Sequence, residues 1–268
     1  MSAKPDTPRV WHRPPFISNA ALRWGLLTAM VLYLGLAYAT TEVDWGRVAD
    51  GLPRAKRFLL AFFPPDFTSR SHDILDGILE SLWMTVASTV IGILISIPVG
   101  LGAARNLAPT PVYLSCRAIV AISRTFPEII VALFAVKLFG FGAFAGIIAL
   151  SIGTIGFYGK LLAEDIEDMD PVQAEAVKTT GASWFQWLNY AVQPQVIPRM
   201  VGLGMYRLDI NFRESAVLGI VGAGGIGATL LTSFDRYEFD SAAAILLIII
   251  GIVMAVEYSS GYVRRWVQ

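Results

Sequence analysis

The sequence predicts an all-α, polytopic membrane protein with about six transmembrane helices. Of its 268 residues, 55% are hydrophobic and 16% are charged, and the mean hydropathy is +0.58. Soluble domains average about 25% charged residues. Several stretches without charged residues also approach the roughly 17–25 apolar residues that a helix needs to cross a bilayer. These stretches are residues 24–41, 81–104, 138–159, 215–234 and 241–256.

A further span is predicted from about residue 112 to 136, although three charged residues interrupt it. The uncharged run 179–198 is not counted, because its two prolines and four amide side chains make a poor lipid-facing helix. It is interpreted as a loop containing short helices, so that the next span begins near Gln195. The predicted spans are then 20–40, 79–104, 112–138, 142–163, 195–220 and 241–264.

The distribution of basic residues favours a cytoplasmic location for both termini. The first span is interpreted as a retained anchor, although Ala37-Tyr38-Ala39 resembles a signal-peptide cleavage site. The segment Val48–Phe63 is amphipathic and is expected to lie on the outer membrane surface. The predicted organisation is a cytoplasmic tail (1–19), a first transmembrane helix (20–40), an extracytoplasmic loop (41–78) and a core domain (79–265) with a cytoplasmic loop (164–194).

Composition excludes several classes of protein. The 21 Lys and Arg residues balance 21 Asp and Glu residues, which argues against nucleic-acid binding. Cys116 stands alone, and His12 and His72 lie outside the apolar runs, so no metal site is expected. Residues 222–227, GAGGIG, match a dinucleotide-binding pattern, but no soluble βαβ unit surrounds them, and a tight extracytoplasmic turn is expected instead. A membrane-embedded enzyme or a channel remains the alternative class, and no catalytic residue is assigned.

The cytoplasmic loop 164–194 is predicted to form a helix–turn–helix. Asp170 caps a helix that has proline at its first position, and Gly181 supplies a left-handed stop. Ser183, with Gln186 three residues later, begins a second short helix towards Pro194. The apolar positions of this element need a protein partner, or they lie on lipid as an interfacial hairpin.

This loop resembles the cytoplasmic signature of permease subunits of ABC importers. That signature reads Glu-Ala-Ala, three residues, Gly, nine residues, Ile, one residue, Leu-Pro. Here Glu175-Ala176 precedes Gly181 at the matching spacing, and Pro194 follows that glycine by thirteen residues. The departures from the signature are Val177, Ala191 and Gln193.

Over residues 75–265 the chain resembles the phosphonate permease group of the binding-protein-dependent transport family. The segments that carry this resemblance are 124–130, 170–176, 180–183, 193–198 and 212–227. The resemblance implies a type I ABC importer permease fold and a homodimer in the bacterial cytoplasmic membrane. It also implies two ATPase subunits and an extracytoplasmic binding protein that delivers phosphonate, with phosphate or phosphite as alternatives. The residues implied to couple transport to the ATPase are Glu175, Ala176, Gly181, Trp184 and Pro194.

No cofactor is expected in this chain. The sequence has no G-x-x-x-x-G-K-[ST] phosphate-binding loop, so ATP and Mg²⁺ are expected to bind the partner ATPase instead.

Charged residues inside the predicted spans indicate a path, a gate or structural ion pairs. Arg124 and Glu128 are four apart on one predicted helical face, with Pro127 between them, and a break at the proline brings Arg124 towards the pore. Asp209 and Arg213 are also four apart. The translocation path or gate is therefore predicted from Arg124, Pro127, Glu128, Asp209, Arg213 and Glu214.

The alternative is that the arginines only neutralise the carboxylates. Arg207, Asn211 and Glu214 share a second face of the fifth span, and Arg207 is interpreted as snorkelling towards the cytoplasm. The glycines of the fourth span, three residues apart, are interpreted as sites of close helix packing. They are Gly153, Gly156 and Gly159.

Overall fold

The computed structural model describes Ile17 and residues 19–41 and 44–267, without the side chains of residues 260 and 263–267. The described residues form helices and no strands, as predicted. Nearly all of the predicted tail 1–19 lies outside them. The helices are α1 (Ala20–Thr40), α2 (Trp45–Leu60), α3 (Ser71–Ala103), α4 (Thr110–Thr125), α5 (Glu128–Phe139), α6 (Ala143–Glu167), α7 (Pro171–Thr179), α8 (Trp184–Trp187), α9 (Gln193–Ile220), α10 (Ile226–Asp235) and α11 (Phe239–Val267).

The chain divides into two compact units, one ending at Phe58 and one beginning at Leu59. In the first unit, the Asn19 side chain caps α1 by accepting hydrogen bonds from the amides of Ala21 and Leu22. Most residues of α1 are apolar, with Arg23 in its first turn, and none is buried. Helix α2 is amphipathic, with Pro53 inside it. Its place on the outer membrane surface stays a prediction.

In the second unit, α3 packs along α6 through small side chains. A side chain on Gly92 of α3 would overlap Thr154 of α6. Ser96 Oγ donates a hydrogen bond to the Gly92 carbonyl and approaches the Thr154 carbonyl at 3.4 Å. Small residues allow two backbones to approach closely, which is how helices associate where surrounding lipid is as apolar as the protein.

The span predicted over 112–138 is broken at the proline, as expected, and the prediction that Arg124 and Glu128 share one helical face was wrong. Helices α4 and α5 are bent by 91° at Phe126 and Pro127. Proline has no amide hydrogen and disfavours helical geometry in the residue before it, so α4 ends at Thr125 and α5 begins at Glu128. Arg124 and Glu128 therefore lie on different helices rather than on one face.

The predicted helix–turn–helix is present as the α7–α8 hairpin, which comprises residues 170–187. Asp170 accepts a hydrogen bond from the Val172 amide, and Ser183 and Gln186 form the predicted capping box. Gly181 has the left-handed φ of +80°. The buried Trp187 closes the hairpin, because its Nε1 donates to the Ala174 carbonyl at 2.9 Å.

The expected end of the second short helix near Pro194 was wrong. Helix α8 continues through a π-helical turn, Leu188–Val192, directly into α9. Pro194 lies in the first turn of α9, where its missing amide hydrogen costs little. The Gln195 side chain accepts a hydrogen bond from the Asp170 amide and donates one to the Ala191 carbonyl. The start of α7 and the π turn are thereby joined to α9.

The GAGGIG segment forms the tight turn between α9 and α10. Gly222, Gly224 and Gly225 all have positive φ, which L side chains rarely adopt. The Gly225 amide donates to Glu80 of α3 at 2.8 Å, and the Gly222 carbonyl accepts from the Gly142 amide. This turn joins α3, the start of α6 and the α9–α10 connection.

Four described helices are long and apolar enough to cross a membrane, and the α4–α5 pair makes a fifth if it counts as one broken span. These are α1, α3, α6 and α11, with α11 qualifying over Phe239–Ser259. Helix α9 corresponds to the predicted span 195–220 and has 28 residues, which is long enough to cross, but its charged side chains keep it out of that apolar set. The structure agrees with an all-α polytopic membrane protein.

Candidate functional site

The break between α4 and α5 opens a cavity lined by charged and polar side chains. A separate cavity of about 320 Å³ lies between α3, α6 and α9 and is lined mostly by apolar residues. The break cavity has a volume of about 250 Å³. The bend exposes the end of α4 and the start of α5 to side chains of α6 and α9. The residues that line it are Ser123, Arg124, Thr125, Phe126, Pro127, Glu128, Phe157 and Arg207.

Arg207 is the centre of a buried polar network at this cavity. Its exposure is 3%, so the interpretation of this residue as snorkelling was wrong. Nε donates to Thr154 Oγ1 at 3.0 Å, and Nη2 contacts Glu128 Oε1 at 3.3 Å. Nη2 also lies 3.8 Å from Glu214 Oε2. A buried guanidinium needs such partners, because an unpaired charge in a span is costly.

The network continues from Arg207 through α6 to α3. The Asn211 side chain is fully buried, and its Nδ2 donates to Thr89 and Thr154 at 2.8 and 3.1 Å. The guanidinium of Arg207 also lies over the Phe157 ring, 5.6 Å from its centroid. The predicted second face of α9 is therefore the buried polar face.

Two glycines of α6 make room for the charged side chains at the break. A Cβ on Gly153 would lie 2.6 Å from Glu128 Oε1 and 2.7 Å from Arg207 Nη2. One on Gly156 would lie 2.8 Å from Arg124 Cγ. Around Gly159 the nearest atom is 3.5 Å away. The first two glycines thus accommodate polar side chains rather than only bringing two helices together.

Asp209 and Arg213 form a separate pair that does not line the break cavity. Arg213 Nη2 donates to Asp209 Oδ2 at 3.0 Å. Asp209 is almost buried, whereas the Arg213 side chain is 57% exposed. The six predicted path residues therefore fall into two groups. Arg124, Pro127, Glu128 and Glu214 lie at or beside Arg207, and the other two lie together on another face of α9.

The five predicted ATPase-coupling residues lie on and just after the α7–α8 hairpin, and all are exposed. Three more apolar side chains on and just after the hairpin are exposed, and the sequence did not single them out, namely Val172, Phe185 and Tyr190. An exposed surface with that many apolar side chains is typical of an interaction site.

Among the described residues, no group of three or more His, Cys, Asp or Glu side chains is placed to hold a metal ion.

The model of the family described as "Binding-protein-dependent transport system inner membrane component" matches residues 96–268. The phosphite transport system permease protein PtxC of Stutzerimonas stutzeri is 37% identical over 256 residues, which are 95% of this chain and 90% of that protein. The phosphate-import permease protein PhnE of Mycolicibacterium smegmatis is 43% identical over 202 residues. That match covers 75% of this chain but spans 38% of the mycobacterial protein.

Solved structures share the fold. The MetNI methionine ABC transporter, in an inward-facing conformation, contains a chain that superposes with a TM-score of 0.65 at 25% identity. The match covers 73% of this chain and 96% of that one. An amino acid ABC transporter gives a TM-score of 0.63 at 21% identity over 75% of this chain. The described core therefore has the fold of type I ABC importer permeases.

Proposed function

Because this chain belongs to the family of inner membrane components of binding-protein-dependent transport systems, we propose that it carries a small phosphorus oxyanion into the cell. The chain is a transport subunit and not an enzyme. The proposed substrate class, phosphorus oxyanions, is supported by the 37% identity to a phosphite permease over nearly the full length of both chains. Phosphonate is our first candidate, and phosphate and phosphite are its alternatives.

The energy source is proposed to be a separate ATPase subunit that binds ATP and Mg²⁺. The sequence has no phosphate-binding loop of its own, and the exposed apolar surface of the α7–α8 hairpin is suited to docking another protein. We propose an assembly of two copies of this chain, two ATPase subunits and one extracytoplasmic binding protein. In the bacterial inner membrane both termini and the hairpin face the cytoplasm.

The six predicted path residues are proposed to line or gate the translocation path, with Arg124 and Arg213 facing the anion. Movement of the hairpin is transmitted to the path residues through α9, because α8 runs without a break through the π turn into α9. ATP binding closes the ATPase subunits and moves the two hairpins, and α9 then rearranges the contacts around Arg207. The path opens outward to accept the anion from the binding protein, and ATP hydrolysis resets it.

Transport in proteoliposomes tests this function. The chain is purified with its ATPase, reconstituted, and supplied with binding protein and phosphonate, phosphite or phosphate. We expect one of the three anions to stimulate ATP hydrolysis and to accumulate inside the vesicles. Absence of a copurifying ATPase would contradict the proposal and favour a lipid-bound hairpin. Absence of uptake for all three anions would contradict the proposed substrate class.

Replacement of Gly181 by valine is expected to reduce substrate-stimulated ATP hydrolysis while leaving assembly intact. Nothing lies within 4 Å of a Cβ at this position, so the cost comes from the backbone φ of +80°. A left-handed conformation costs an L residue about 1–2 kcal/mol, which valine is expected to relieve by changing the turn between α7 and α8.

The matched control is Gly181→Asn, because asparagine tolerates the left-handed region. We expect the asparagine variant to retain most of the stimulation. ATP hydrolysis of reconstituted complexes gives the coupling, and size-exclusion chromatography gives the assembly. Equal stimulation in the valine variant and the unaltered protein would show that this turn has no part in coupling.

A further inference from the structure

We propose that the break cavity is an oxyanion subsite in which Arg124 binds the anion and Glu128 accepts a hydrogen bond from a protonated oxygen of that anion. The subsite therefore prefers hydrogen-bearing phosphorus oxyanions to sulfate. This inference rests on the proposed function, since it assigns the substrate contact within the path.

Arg124 has the guanidinium group that is available to a ligand. It lines the cavity and is exposed, and among the described residues no hydrogen bond or ion pair engages it. It also lies in the last turn of α4, near the middle of the broken span. An arginine at such a position is expected to face a cavity or a partner rather than lipid. Its planar fork matches two oxygens of a tetrahedral oxyanion.

Glu128 is held in position on the opposite side of the break by Arg207. Its Oε1 contacts Arg207 Nη2 at 3.3 Å, and Thr154 holds the same guanidinium through Nε. Within the described part of the chain, Oε2 of Glu128 makes no hydrogen bond, and the side chain is 29% exposed. Arg207 is thus engaged by protein groups, and the second oxygen of Glu128 can accept a hydrogen bond from a ligand.

Size and charge of the cavity suit a small monoanion. Its volume of about 250 Å³ lies just below the 300–1,000 Å³ typical of pockets for larger organic ligands. Two guanidinium groups and one carboxylate line it, and because Arg207 pairs with Glu128 and approaches Glu214, Arg124 is the cation left to attract a negative charge. Glu214 approaches Arg207 at 3.8 Å, which is longer than a hydrogen bond, and it does not line the cavity.

The Glu128 carboxylate gives the subsite its preference for hydrogen-bearing phosphorus oxyanions over sulfate. An ionised carboxylate only accepts hydrogen bonds, so it favours an anion with an O–H group and repels one without it. Near neutral pH phosphate always carries at least one proton on oxygen, phosphite and phosphonate carry one in part of the population, and sulfate carries none. Sites that hydrogen-bond a ligand hydroxyl reject analogues without it strongly, because a buried polar group is then left unpaired.

Direct binding to the permease–ATPase complex, prepared without its binding protein, tests the subsite. Inorganic phosphate and sulfate are titrated separately at one pH slightly below neutral, and the heat of binding is measured. We expect phosphate to bind at least about tenfold more tightly than sulfate, a difference that corresponds to about 1.4 kcal/mol. Arg124→Gln should weaken phosphate binding by at least about tenfold, and Arg124→Lys should recover part of it.

Glu128→Gln is expected to bring the affinities for phosphate and sulfate close together, because the amide can donate a hydrogen bond to sulfate. Arg236→Gln, which removes an exposed arginine outside the cavity, is the charge-matched control and should bind phosphate like the unaltered protein. The comparison of the two anions in the unaltered protein needs no variant, so it remains decisive if Glu128→Gln does not fold.

Three results would overturn the subsite: no phosphate binding to the unaltered complex, equal binding of sulfate, or unchanged phosphate binding in Arg124→Gln. Uptake in proteoliposomes separates these results from failure of the proposed function. If the unaltered importer accumulates a phosphorus oxyanion while one of the three results is found, the function stands and the subsite lies elsewhere.

Discussion

Replacement of Gly227 by alanine is expected to destabilise the protein strongly. A Cβ at Gly227, in the first turn of α10, would overlap the carbonyl oxygen of Ala216 in α9. Gly219 of α9 is equally confined by the backbone of Gly224, Gly227 and Ala228. Neither side of this contact is a flexible side chain, so the overlap is relieved only by moving α10 away from α9.

We expect a loss above the roughly 1–3 kcal/mol that overpacking usually costs. That is a large part of a typical stability of about 5–15 kcal/mol. The measurement is the yield of monodisperse protein in detergent and its thermal unfolding midpoint. Gly251→Ala in α11 is the control, because nothing lies within 4 Å of its Cβ and alanine favours a helix. A Gly227→Ala protein with the unaltered midpoint would contradict the close contact between α9 and α10.

Replacement of Arg207 by leucine is expected to destabilise the protein by about 3–5 kcal/mol, the usual cost of removing one partner of a buried ion pair. The change leaves the Glu128 carboxylate without its 3.3 Å partner and Glu214 without its nearest positive charge. It also removes the donor to Thr154 Oγ1. The thermal unfolding midpoint of the purified protein measures the effect.

Arg213→Gln is the matched control for this prediction. Arg213 also pairs with a carboxylate of α9, but its own side chain is 57% exposed, so water partly replaces the lost contact and we expect a smaller loss than for Arg207→Leu. We further expect Glu128→Gln to recover part of the stability of Arg207→Leu, because it removes the unpaired charge. Equal midpoints for Arg207→Leu and Arg213→Gln would show that the network at the break contributes little to stability.

Local signals in the sequence predicted the hairpin and the break well. Asp170, Gly181 and the pair Ser183–Gln186 act on backbone groups within a few residues, and each has the predicted role in the structure. Pro127 acts on the residue before it in the same way. The interpretation failed at Pro194, which was expected to end a helix but lies in the first turn of α9, where the π turn joins α8 to α9.

Contacts between helices could not be predicted from the sequence. The four-residue spacing of Asp209 and Arg213 correctly placed two side chains of one helix together, but the same spacing misplaced Arg124 and Glu128 across the break. No local signal identified Thr154 and Phe157 as partners of Arg207, because they belong to another helix. Arg207 itself was interpreted as exposed, since a sequence position does not indicate which face of α9 is buried.

By itself, the sequence determined the helical class, the transmembrane character, the caps of the hairpin and the family to which the chain belongs. The first three depend on composition, on long stretches without charge and on hydrogen bonds between near neighbours, whereas the family rests on the resemblance of the sequence motifs. The tertiary structure alone decided that Arg207 is buried while Arg124 remains available, and that Gly153 and Gly156 make room for charged side chains. Burial and pairing depend on how α4, α5, α6 and α9 pack, and packing joins residues that are distant along the chain.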